Sequence, residues 1–149
     1  MDKLKTVDIN SVHWEKIQSE GLDLDYCNAI PKAIANDLFK ELESSLQYFS
    51  GKLSQIKVFG KVYPLPRQQV AYGDPGITYT YSGITVPALP WPMPVLALRD
   101  LLFNLKGLEY NFVLVNKYRN GHDHMGEHRD NEPDLDPNYP IASEKIRKK

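Results

Sequence analysis

The sequence predicts an α+β fold, on three observations. Two segments carry helical apolar stripes. Short β-type runs broken by glycine and proline lie between them, and an apolar alternation leads into a histidine-rich turn. Residues 1–30 are polar and mixed, with a short helix expected near residues 11–19. Residues 33–49 read as the clearest helix, because Ala35, Leu38, Phe39, Leu42, Leu46 and Phe49 recur at three- and four-residue spacing. Pro31 sits near its start, where a missing N–H costs nothing. Ile56-Lys57-Val58-Phe59 and Thr78-Tyr79-Thr80-Tyr81 are expected strands, and Gly73-Asp74-Pro75-Gly76 marks a turn between them. Residues 87–94 hold four prolines and are expected to be extended. A second helix is expected over residues 95–105, with Val95, Leu98, Leu101, Leu102 and Leu105 inward and Gly107 as its stop. Residues 109–118 read as a strand, with Phe112, Leu114 and Asn116 on one face and Val113, Val115 and Lys117 on the other. Residues 131–140 are acidic and proline-rich loop. Residues 141–143 are a candidate strand start, and a polar tail follows.

The 149 residues fit one domain with a real core, and 42% apolar with 25% charged residues is ordinary globular composition. No internal repeat or low-complexity segment is present. No apolar run approaches the roughly 18 residues needed to cross a bilayer, and residues 1–10 lack the apolar core of a secretory leader. The single cysteine, Cys27, has no internal disulfide partner, so cytosol and nucleus both fit. A net charge of -1 excludes nucleic-acid binding by overall charge, so any basic footprint is local. Lys52, Lys57, Lys61 and Arg67 are one candidate, and Lys117, Arg119 and Arg129 another; scattered lysines on a solvated face remain the alternative.

The chemistry concentrates in Asn116-Lys117-Tyr118 and in His122-Asp123-His124-Met125-Gly126-Glu127-His128-Arg129-Asp130. His128 and Asp130 are one residue apart, so in extended backbone both project to one face, about 7 Å apart. An imidazole and a carboxylate so placed suit adjacent positions on one metal ion, and a second His would complete a two-His-one-carboxylate face. His-x-Asp alone is a weak pattern, equally a polar turn. The absence of a nearby cysteine makes structural zinc a poor fit.

Five blocks in order sharpen this: Val58-Phe59-Gly60-Lys61, Tyr72-Gly73-Asp74, Thr78 through Gly83, Asn111-Phe112-Val113-Leu114, and Asp123-His124 through Asp130. Over residues 22–143 the chain resembles the AlkB-homologue dioxygenases, Fe(II)- and 2-oxoglutarate-dependent enzymes that repair alkylated nucleic-acid bases, and most of all the nuclear branch acting on duplex DNA. The resemblance implies the front half of a double-stranded β-helix (jelly-roll) with supporting N-terminal helices. It implies iron ligation by His128 and Asp130 and 2-oxoglutarate binding by Asn116 and Tyr118. It implies a lid of Tyr79, Thr80, Tyr81 and Ser82 over a damaged-base pocket, where an aromatic face offsets part of the cost of unstacking a base. A finger of Val58, Phe59 and Gly60, with Lys61, would wedge into the duplex. Asn131 and Glu132 match positions beside the flipped base. Tyr81 stands where the family usually has Phe, and Asn131 where an acid is expected.

The sequence also departs from the family downstream. No histidine follows His128, and Arg147 is the sole arginine after Asp130. A third iron ligand and the arginines that clamp 2-oxoglutarate are therefore expected to be missing, and the chain reads as a truncated form. The expected layout is a flexible segment over residues 1–21, a partial dioxygenase domain over 22–143 and a divergent tail over 144–149. Apolar faces of Phe112 and Leu114, or of their neighbours, are expected to be left bare. The implied function is oxidative demethylation of 1-methyladenine- and 3-methylcytosine-type bases in duplex DNA in the nucleus. The alternatives are a non-catalytic form that binds DNA or partners, and an RNA-directed relative, against which a duplex wedge argues.

Overall fold

The computed structural model describes residues 2–147; the expectations for Met1 and for Lys148 and Lys149 lie outside these residues. Helices and antiparallel strands are mixed, as an α+β fold requires. The described residues fall into two compact units. One draws on residues 2–45, 93–109 and 145–147, the other on Leu46–Pro92 and Tyr110–Glu144.

In the first unit, 3-10 turns at Asp2–Thr6 and Ile9–Ser11 precede β1 (Glu15–Ser19) and β2 (Leu22–Tyr26). The helix expected near residues 11–19 is thus a strand. Glu20 and Gly21 both have positive φ, at 51° and 84°, and this two-residue turn folds the chain back antiparallel with Ser19 opposite Leu22. Helix α1 (Lys32–Ser45) buries Leu38 completely. It ends short of residue 49 because the Phe49 N–H donates to the Gln69 carbonyl at 2.8 Å, leaving helix for a strand-like pairing. Helix α2 (Met93–Lys106) starts with Pro94 in its first turn. It stops where Gly107, at φ 67°, donates its N–H to the Phe103 carbonyl at 2.7 Å. Leu4, Val7, Leu38 and Leu101 form the core, flanked by Ile34, Leu42, Leu98 and Leu105.

The second unit holds β3 (Gln55–Val58), β4 (Lys61–Pro64), β5 (Gln68–Gly73), β6 (Thr78–Tyr81), β7 (Ile84–Pro87) and β8 (Phe112–Lys117). β3 pairs with β4, β5 with β8 and β6 with β7, all antiparallel. β5 is the spine, buried from Gln69 to Gly73. One edge runs against β8; the other takes Phe49 N–H on Gln69, Leu89 N–H on Ala71, and a Gly73 N–H to Leu89. Gly73 is required by close approach, since a Cβ there would lie 2.7 Å from the Asn111 carbonyl oxygen. Ala71, Tyr79, Tyr81 and Val86 form the core, with Phe112, Leu114 and Leu135 against it.

Four further expectations are corrected here. Phe59 belongs to the β3–β4 turn rather than to a strand. The segment expected to be extended over residues 87–94 begins as the end of β7 and finishes as the first turn of α2. Residues 141–143 form no strand. Phe112 and Leu114 are half-buried rather than bare, because the β6–β7 hairpin and Leu135 cover their face.

Candidate active site

β8 delivers Asn116 and then the His-rich turn, which is held by its own polar groups. Arg119 forks onto Asp123 through Nε at 2.7 Å and Nη2 at 3.0 Å, and its backbone N–H donates to the same carboxylate at 2.8 Å. These bonds hold the Asp123 carboxyl down at about 2. They also take Arg119 out of the second basic patch. The Asn120 side chain accepts the His122 N–H at 2.9 Å, a local turn of the kind Asn favours. The turn is docked on the segment ahead of β5: His124 N–H donates to the Pro66 carbonyl at 2.9 Å, and Arg67 Nη1 to the His124 carbonyl at 3.3 Å.

Residues 128–130 lie outside any strand, and the two side-chain tips come closer than the about 7 Å between alternate positions of a strand. His128 Nε2 lies 3.2 Å from Asp130 Oδ1, with both side chains about half exposed (47% and 49%). His128 Nδ1 lies 2.9 Å from the Gly126 carbonyl. A carbonyl can only accept, so Nδ1 carries the proton and Nε2 is the nitrogen turned to Asp130. An imidazole nitrogen and a carboxylate oxygen converging in this way suit adjacent positions on one metal ion. His124 is engaged locally, Nδ1 to the His122 carbonyl at 3.0 Å. Among the described residues no group of three His, Cys, Asp or Glu gathers to hold a metal.

Asn116 lies opposite Gln69 across β5 and β8. Its Oδ1 accepts from Gln69 Nε2 at 2.6 Å and from Arg67 Nε at 3.3 Å, and Gln69 Oε1 accepts the Tyr81 hydroxyl. The Asn116 amide is left with its N–H donors, which suit a carboxylate ligand. Tyr118 falls just beyond β8 and is half exposed.

Tyr79 and Tyr81 are buried and stacked, centroids 5.8 Å apart, whereas Thr80 and Ser82 are exposed. Burial pushes the Tyr79 phenol well up, and hydrogen bonding to Glu132 adds to it, as do the nearby charges of Glu132, Asp130 and Asp134. Three carboxylates at alternate positions thus act on Tyr79 of β6. Glu132 Oε2 is buried with no hydrogen-bond partner among the described residues, and Asn131 is exposed. The Thr80 N–H donates to Asp134 Oδ2 at 2.7 Å, tying the post-His loop to β6.

Phe59 and Gly60 form the two-residue turn of β3–β4, with φ of 47° and 79°. A bulky residue in the left-handed region costs about 1–3 kcal/mol, and Phe59 is fully exposed there. Val58, Val62 and Tyr63 beside it are exposed too. No Asp or Glu occurs over residues 44–73, which carry Lys52, Lys57, Lys61 and Arg67, so the hairpin is apolar at its tip and basic around it.

The sequence motifs do not single out Gln69 or Asp134, and they place Arg67 only in a loose basic patch. A polar residue at the head of the apolar run Val70-Ala71-Tyr72 is a signal of a buried hydrogen-bonding role. Asp134 gave no such signal, because its partner is a backbone N–H that residue types do not reveal.

A jelly-roll part that ends in a His-x-Asp turn defines the class, and a family profile agrees: the 2OG-Fe(II) oxygenase superfamily matches residues 26–146. The chain belongs to that superfamily. It is 48% identical over 137 residues to DNA oxidative demethylase ALKBH2 of Mus musculus, covering 91% of this chain and 57% of that protein. It is 49% identical over 131 residues to the Homo sapiens ALKBH2, covering 87% and 50%. Alpha-ketoglutarate-dependent dioxygenase alkB homolog 3 of Rattus norvegicus is 38% identical over 82 residues, 54% of this chain and 27% of that one. The chain spans about half the length of the ALKBH2 relatives it matches.

Proposed function

We propose that this chain carries the DNA-engaging and metal-side part of a nuclear DNA oxidative demethylase acting on 1-methyladenine- and 3-methylcytosine-type bases in duplex DNA. The observation that carries the reading is Phe59: a fully exposed aromatic held at positive φ on the tip of an acid-free hairpin. Strain of this kind persists where the surroundings impose it, and an apolar wedge with phosphate-binding lysines beside it suits a duplex from which one base is extruded. A single-stranded substrate would leave the wedge idle.

Bound at the site, Fe(II) with 2-oxoglutarate and O₂ supplies oxidation of the N-methyl group, which leaves as formaldehyde beside succinate and CO₂. The chain's own residues do the rest. His128 and Asp130 hold the metal, with His128 fixed in orientation by the Gly126 carbonyl. Asn116 and Tyr118 bind 2-oxoglutarate, Asn116 through its N–H donors. Tyr79, Thr80, Tyr81 and Ser82 line the base pocket with Asn131 and Glu132. A base methylated at these ring nitrogens is cationic, and the orphaned Glu132 oxygen beside Asp130 and Asp134 offers it a negative wall. Phe59, Gly60 and Lys61 probe the duplex.

The exposed, acid-free β3–β4 hairpin supports a second reading by itself, since it needs no metal: a form that binds duplex without turning it over. Formaldehyde release from methylated duplex, with Fe(II) and 2-oxoglutarate, separates the two. Turnover lost on His128→Ala supports the enzyme. Salt-sensitive duplex binding without turnover, unaffected by iron removal and weakened by Phe59→Ala, supports the binding form. Preference for single-stranded over duplex DNA sinks the wedge on either reading.

A further inference from the structure

We infer that Gln69 is a positioning residue: it fixes the sense of the Asn116 amide, so that N–H donors rather than the oxygen face the 2-oxoglutarate site, and the Tyr81 hydroxyl locks Gln69 in that sense. The inference rests on the assignment of Asn116 to the cosubstrate.

The polarity follows from one group that cannot be ambiguous. A guanidinium only donates. Arg67 Nε lies 3.3 Å from the terminal atom of Asn116 it faces, so that atom is the oxygen. Gln69 reaches the same oxygen at 2.6 Å and must therefore present its NH₂. Its Oε1 is then turned to Tyr81, whose hydroxyl donates. Both acceptor positions of the Asn116 oxygen are occupied, and its Nδ2 is what remains for a ligand. An amide turned the other way would aim an oxygen at an anionic cosubstrate.

The backbone explains why Gln69 can impose this. Its carbonyl accepts from Phe49 on the far edge of β5, so Gln69 and Asn116 form a non-hydrogen-bonded antiparallel pair, the arrangement that brings opposed side chains closest. Gln69 is 2% exposed, so its amide has no water to turn toward, and reversing it would strand buried polar atoms at both ends. The same glutamine therefore joins a lid residue, Tyr81, to the cosubstrate residue, Asn116.

The test is a titration of 2-oxoglutarate into the full chain loaded with Zn(II), a redox-inert stand-in, following the Asn116 side-chain NH₂ resonances together with Kd. In the unsubstituted chain these resonances shift as ligand binds. In Gln69→Glu, two oxygens would meet, so the Asn116 amide turns and its NH₂ is held by the new carboxylate. The resonances then move before ligand is added and no longer respond to it, and Kd rises roughly tenfold or more. Tyr81→Phe loosens the lock and raises Kd roughly two- to fivefold. A role in stability alone would lower Tm without changing which Asn116 atoms answer the ligand. A folded Gln69→Glu protein with unchanged Kd and responsive NH₂ resonances overturns the inference. Should that variant not fold, unchanged Kd and resonances in Tyr81→Phe do the same. If Asn116→Ala binds 2-oxoglutarate as well as the unsubstituted chain does, the cosubstrate assignment fails first and takes the inference with it.

Discussion

The β3–β4 and β6–β7 hairpins share one turn and put it to different uses. Each closes on two residues, Phe59-Gly60 and Ser82-Gly83, with positive φ at both, the turn whose twist matches antiparallel strands. Above the turn they diverge. β6 alternates exposed and buried, with Tyr79 and Tyr81 in the core, and β7 buries Val86. β3 and β4 bury nothing fully. An isolated two-stranded hairpin is marginal in water, so β3–β4 depends on its turn and on the base bond from Leu65 N–H to the Ser54 carbonyl at 2.9 Å. Local turn chemistry therefore makes the shape, and burial decides whether the shape is core or instrument.

The largest effect should come from removing that burial difference. Tyr79→Ala takes a ring out of the packed cluster and should cost about 3–5 kcal/mol, the range for a large aromatic cut to Ala. Val62→Ala in β4 should stay within about 0.5 kcal/mol. Chemical denaturation of the two variants checks it, and a large loss at Val62 would show that the β3–β4 hairpin is packed after all.

The tips sharpen the comparison further. Gly accepts positive φ without the steric cost borne by Phe59 and Ser82, so Phe59→Gly and Ser82→Gly should each stabilise by up to about 1 kcal/mol. Duplex binding should separate them: only Phe59→Gly should weaken it, roughly tenfold, the scale of one aromatic stacking contact. Equal DNA affinities would make Phe59 an ordinary turn residue.

Sequence alone carried the parts that depend on side-chain period. Thr78–Tyr81 is found at its expected bounds, Gly107 stops α2, and Phe112 and Leu114 of β8 pack together against the core as one face. It failed where backbone partners decide. Residues 11–19 look helical until the Glu20-Gly21 turn is counted, and residues 46–49 continue a helical stripe yet leave it to meet Gln69. Of the candidate site, the residue types that suit metals and anions stand out as a motif. Gln69 and Asp134 do not, because their importance lies in a cross-strand register and a strand edge.

That edge gives the next effect. Thr80 sits in a non-hydrogen-bonded pair opposite Thr85, the side chains bonded at 2.9 Å, so its N–H points away from β7. Asp134 takes it, capping an edge otherwise open to another strand. Asp134→Ala should speed hydrogen exchange at the Thr80 amide by about tenfold or more, while β3–β4 amides keep their rates. Unchanged exchange at Thr80 would mean that β7 alone holds β6.

The smallest effect is expected in the His turn, which neither burial nor a strand ladder holds. Arg119 keeps the Asp123 carboxyl at about 2, below the ordinary value near 4, by hydrogen bonding to its ionised form. A depressed carboxyl stabilises the fold fully above its unfolded pKa and loses that contribution as pH falls through the folded one. The turn should therefore loosen between about pH 4 and pH 2, through the loss of this one polar pairing, while the hairpins hold. A carboxyl-carbon NMR titration should place the Asp123 midpoint near 2, and Asp123→Asn should free the His124 amide from the Pro66 carbonyl already at neutral pH. A midpoint near 4 would leave the turn held by its docking on Pro66 and Arg67, and the His128-Asp130 pair would then owe its placement to the same segment that hydrogen-bonds Asn116.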